Sequence, residues 1–127
     1  MWNKLLGLRY KFGARPGDGN NETDCFALVC EARRELKLHD YEADFQWAYE
    51  REQCRSTVKA ILRQLSDIAL EVTESKDGDV ALVSINDEQL GLGTVISNGY
   101  LTIRQQGSSF WTPRLKPIKI FRMNCDN

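Results

Sequence analysis

Asn20–Leu36 reads NNETDCFALVCEARREL. A polar stretch ends at Asp24, and an apolar run opens at once on a cysteine. Thr23 and Asp24 are both residue types whose side-chain oxygens accept from first-turn backbone N–H groups, so the pattern predicts a helix from about Asp24 to Leu36. The first turns, CFALVC, are apolar on every side, and the charges of Glu31 to Glu35 come only later. Such a helix drives its first half into the middle of a domain and leaves its second half amphipathic.

Upstream, GARPGDGNNETD (residues 13–24) is a turn-rich loop, and Trp2, Leu5, Leu6, Leu8 and Tyr10 predict a short helical or irregular segment against the core. Downstream, Glu42–Ile68 reads as a second helical region broken near Cys54–Ser56. There Val58, Ile61, Leu62, Leu65 and Ile68 form an apolar stripe at helical spacing. In YEADFQWAYEREQ the aromatics Tyr41, Phe45, Trp47 and Tyr49 cannot all face one side, so one of them is expected to be exposed as an anchor for a partner.

From Leu70 the period shortens. Asp79–Ile85, Leu90–Ile96, Tyr100–Gln105, Ser109–Thr112 and Ile118–Met123 read as strands, and with the short Leu70–Thr73 they predict an antiparallel sheet. Ser97-Asn98-Gly99 is a hairpin signal, read as a three-residue loop with Gly99 available for positive φ. Pro113 and Pro117 bracket a connection rather than a central strand. Helices first and strands after imply an α+β fold, N-terminal helices packed on a C-terminal antiparallel sheet, in a single domain over residues 1–127.

Seventeen basic and eighteen acidic side chains leave a formal charge of -1, so there is no broad positive field and no nucleic-acid partner is expected. No apolar run approaches the roughly 18 residues of a membrane span, and the start MWNKLLGLRYKFG does not read as a secretory signal. The four cysteines form no CxxC pair and the chain holds one histidine, which argues against a structural metal and a disulfide framework. No cofactor is expected either. WTPRLKPIKIFR (residues 111–122) mixes four cations with Trp111 and Phe121, but their alternation with strand residues points to a solvated sheet face. GARPGDG lacks the ending of a phosphate-binding loop.

Cys25 is the residue that invites chemistry. A thiol at a helix N-terminus meets unpaired N–H groups and the positive end of the helix dipole, which favour thiolate and can steady an oxyanion. Asp24 opposes this by like charge unless it is occupied as the cap. Acyl transfer through a cysteine also needs a base within about 3 Å. His39 lies fourteen positions on, about 21 Å along a helix, and reads as a residue of the helix C-terminal end or the surface.

These residues carry a resemblance. YKFGARPGDGNNETDCFALV (residues 10–29) resembles the tyrosine, glycine-rich loop and Asp-Cys-Ser-Gly-Leu-Val of the NlpC/P60 family of papain-like cysteine peptidases, phage-tail-associated domains in particular. Tyr10 corresponds to the family tyrosine near the oxyanion and Cys25 to the nucleophile. Phe26 and Ala27 replace serine and glycine. Gly78–Ile85 looks like the family strand that opens the sheet, Leu92–Ile103 like its hairpin, and residues 108–124 like its closing strands.

Carried over, the family histidine falls on Gly91 and the third catalytic residue on Ile103, and a three-residue loop would set Gly91, Gly93 and Ile103 on one sheet face. Neither Gly91 nor Ile103 can move a proton. The resemblance therefore implies a papain-like fold used without catalysis, as a structural or interaction protein of phage origin. Its partner would be a virion or host protein, and its location the host cytoplasm or the virion. The alternative it implies is a peptidase or amidase of peptidoglycan peptides, with Cys25 as nucleophile and a non-standard base.

Overall fold

Asp24 is the N-cap: its Oδ1 accepts from Ala27 N at 2.8 Å and starts helix α1, Cys25–Glu35. The computed structural model describes residues 1–43, 63–86 and 89–126. Phe26 to Cys30 are all buried, as the apolar first turns require, and Ala32 and Arg33 follow them inside. The expected helix over Glu42–Ile68 falls mainly outside the described residues; residues 63–68 of it are helical. Of the aromatics expected to leave one member exposed, Tyr41 is buried, and Phe45, Trp47 and Tyr49 lie outside the described residues.

The N-terminal segment is more ordered than its pattern suggests. A 3-10 turn, Trp2–Leu5, leads into a two-residue strand β1, Arg9–Tyr10, which pairs in parallel with β2, Glu22–Thr23. The main sheet has six strands, one for each segment read as a strand: β3 Ala69–Val72, β4 Val80–Asn86, β5 Gln89–Ile96, β6 Gly99–Ile103, β7 Ser109–Thr112 and β8 Pro117–Met123. Their order is β3-β8-β4-β5-β6-β7, and every pairing is antiparallel. Helix and antiparallel sheet pack as an α+β architecture. Pro117 belongs to β8 after all, as its first residue beside a register shift, where the missing N–H disturbs the ladder least.

Strand alternation splits the sheet into two faces. Leu82, Leu92, Ile96, Leu101, Ile103 and Phe121 meet α1, and their burial forms two adjoining apolar clusters. Ala81, Val83, Val95 and Ile120 point the other way and make a smaller core with Ile85, Tyr100 and Leu115. Both faces of β4 and β5 are therefore apolar, which explains near-continuous hydrophobic runs such as VALV.

The hairpin between β5 and β6 corrects the sequence reading. Ile96 pairs with Gly99, so the loop holds two residues, and Ser97 (φ 51°) and Asn98 (φ 63°) take the positive torsions of a primed turn. Gly99 is a strand residue. Its need for glycine comes from a neighbour: a Cβ there would lie 2.5 Å from the Trp111 indole, which donates from Nε1 to Ile96 O at 2.8 Å. Shortening the loop by one residue reverses the expected parity. Thr94 now pairs with Leu101 and Val83 with Gly91, so Gly91 and Gly93 face away from α1 while Ile103 faces it. The three do not share a face.

Among the described residues no helix is long and apolar enough to cross a membrane.

Candidate functional site around the start of helix α1

Two backbone pairings bring the sequence-selected residues together. Tyr10 lies in register with Thr23, and Lys11 N donates to Thr23 O at 3.0 Å. That pairing seats Tyr10 beside the helix start, where it and Cys25 pack on the same apolar cluster. Cys25 is half-buried, outside any disulfide, at the seam where the two clusters beneath α1 meet.

Asp24 is occupied. Besides capping Ala27, its Oδ2 accepts from Gly13 N at 2.9 Å, while Asp24 N donates to Ala14 O at 3.1 Å. The side chain is 2% exposed. These bonds fasten the glycine-rich loop to the helix start, so the loop's geometry follows from capping and needs no bound phosphate. They also fix the carboxylate on the backbone, away from a role as a mobile base.

The sheet under this helix start is apolar. Leu92, Ile96, Leu101 and Ile103 face it, and Thr94 is the one polar side chain in the buried part of this face on β4–β6 among the described residues. Thr94 is fully buried, and among the described residues its Oγ1 has no hydrogen-bond partner. A hydroxyl is a poor proton acceptor at neutral pH, so it does not stand in for an imidazole. Gly91, where the sequence resemblance would put a histidine, lies on the far face toward Ile85, and Ile103 contributes only hydrocarbon. Sequence reasoning did not single out Thr94, because a threonine inside a strand carries no signal that its hydroxyl goes unpaired.

The ionisable groups gather at the other end of α1. Arg33, 1% exposed, forms a two-pronged pair with Asp126, Nη1–Oδ2 and Nη2–Oδ1 each 2.8 Å, and donates to Gly78 O (2.7 Å) and His39 O (2.8 Å). Its guanidinium also lies 5.4 Å from the Tyr41 ring centroid. The exposed His39 sets its ring edge-on to Tyr41, 4.4 Å between centroids. On the outer side Arg34 binds Glu31, Asp40 and Glu42. Although partial burial works against its charge, Asp40 is held below the usual carboxylate range by the Glu42 N–H and Arg34.

One further motif resolves into structure. Gly78 adopts φ 97° in a space that a Cβ would fill against Leu38, and the fully buried Asp79 forms a two-pronged pair with Arg122, 2.9 and 3.1 Å. The glycine-aspartate that opens β4 is thus a folding device. Cys30 is buried against β4 and β5 neighbours, and desolvation pushes its thiol strongly upward, so it stays protonated. Cys54 lies outside the described residues. Among the described residues no three His, Cys, Asp or Glu side chains are grouped to hold a metal.

Comparison of this chain with family models, with curated proteins and with solved structures finds no match.

Proposed function

We propose that this chain is a non-catalytic structural or interaction protein built on a degenerate NlpC/P60, papain-like fold, and that it serves as a phage-tail or other phage-encoded component. One observation carries the non-catalytic half. The strip of sheet beneath Cys25 presents Leu92, Thr94, Ile96, Leu101 and Ile103, and the only histidine in the chain sits against Tyr41 beyond the far end of α1. A thiol needs a nearby base to attack a peptide carbonyl and an acid to protonate the leaving amine, and losing that proton traffic costs about 10²–10⁴ in rate. The family and phage assignment rests on the sequence resemblance around Tyr10 and Cys25.

The test is site-resolved alkylation of Cys25 as a function of pH, run beside muropeptide hydrolysis. The expected outcome is no turnover, and a Cys25→Ala protein identical to the parent in both stability and hydrolysis assays within error. A reactive thiolate at neutral pH, with turnover that Cys25→Ala abolishes, overturns this reading in favour of a cysteine peptidase or amidase.

A further inference from the structure

The basic stretch that stands out in the sequence, residues 111–122, dissolves in the fold. Arg122 binds buried Asp79, Lys119 pairs with Glu71, and Phe121 enters the core. A different basic group is assembled from separate parts of the chain. Strand β1 returns onto the β6–β7 hairpin, with Arg9 opposite Ser108 and Tyr10 N donating to Gly107 O at 3.3 Å. Tyr10 turns inward, so strand alternation sends Arg9 and Lys11 outward to the side shared by Ser108 and Phe110. Arg104, at the start of the hairpin turn, lays its guanidinium 4.5 Å over the Phe110 ring. Arg9, Lys11 and Arg104 are all exposed, and among the described residues none of them forms an ion pair. Glu22, in register with Arg9, leaves it unpaired.

Although the net charge gave no reason to expect a nucleic-acid partner, we infer that this local strip binds single-stranded nucleic acid, with phosphates on Arg9 and Lys11 and a base on Arg104. The arrangement of Arg104 selects this partner over an acidic protein. Phe110 covers one side of the guanidinium while Arg104 stays exposed, which leaves the other side open to an unstacked base. A carboxylate uses only the N–H edge and gains nothing from the plane. The site lies on the β6–β7 end of the molecule and is independent of whether Cys25 is catalytic.

Fluorescence anisotropy of a labelled oligothymidylate of about 16 nucleotides, titrated with the full chain, tests it. Saturable binding is expected near ~50 mM salt, weakening on a log–log plot with a slope of about -1.4 for the two phosphate contacts. Arg104→Ala is expected to weaken binding about tenfold, and Arg104→Lys, which keeps the charge and loses the plane, nearly as much. All three residues are exposed, so unchanged circular dichroism melting confirms that the variants fold. No binding at about 100 μM protein overturns the inference. So does an Arg104→Lys protein that binds as tightly as the parent, or a polyglutamate peptide that competes as well as the oligonucleotide.

Discussion

The two ends of helix α1 differ in nearly every respect. At its start the Cys25 thiol and a capping carboxylate sit over Leu92, Ile96 and Ile103. Past its end, Arg33, Asp126, Tyr41 and His39 crowd together with backbone carbonyls, and Arg34 holds three carboxylates. The difference teaches where proton chemistry is available. Among the described residues, Arg33, Arg34, Asp40, Glu42 and Asp126 are committed to holding the helix end and the C-terminal residues in place, away from Cys25.

If that division is right, the charged end should dominate stability. Arg33→Ala strands Asp126 in a nearly buried site and removes two bonds to backbone carbonyls, so urea denaturation should register a loss of about 3–5 kcal/mol. A loss below about 1 kcal/mol would mean that the cluster is ornamental and the comparison empty.

The second effect is a pH dependence. Burial raises the Cys30 thiol above its ordinary value of 9.0, and burial and the Cys125 contact raise Tyr41 above 10.0. Groups raised in the folded state stay protonated there after the unfolded chain has begun to lose its protons. Their stabilising contribution is complete below about pH 9 and is lost as pH rises above it, by about 1.4 kcal/mol per unit for Cys30. Denaturation midpoints measured from pH 8 to 10.5 should fall, and Cys30→Ala, though less stable at neutral pH, should show a shallower decline.

At the helix start the expected effects are smaller. Asp24→Ala removes the cap and the tether to Gly13, and thermal or urea unfolding should show a loss of about 1–2 kcal/mol. Thr94→Val should act in the opposite direction. It replaces an unsatisfied buried hydroxyl with a methyl of similar shape, and a gain of about 1 kcal/mol is expected by the same measurement. A destabilised Thr94→Val protein would show that the hydroxyl has a partner and that the strip beneath Cys25 is less apolar than its side chains indicate.

The legible parts were those where local chemistry decides. Asp24 as cap, the all-round burial of Phe26 to Cys30 and the alternation of β4 to β8 follow from neighbours within a few residues. His39 was expected on the same helix as Cys25, but that helix ends at Glu35 and His39 follows it in a loop, at the opposite end from the thiol. What escaped the sequence depends on contacts between distant segments. β1 is a strand only because Thr23 is there to pair with it, and Pro117 joins β8 because β4 accepts a shifted register. The hairpin shows the sensitivity best: assigning three loop residues in place of two put Gly91 and Ile103 on one face, and the observed pairing separates them. Arg104, Arg9 and Lys11 have no common sequence signature at all, since only folding makes them neighbours.

Gly99 owes its identity to the bulk of Trp111 rather than to its own torsion. A side chain at position 99 is therefore excluded only while the indole stands there, and the two sites are bound to change together. Divergence at one without the other should be met by a distorted β6–β7 pairing, and a smaller residue at 111 would release 99 to accept alanine at the expense of the tie to Ile96.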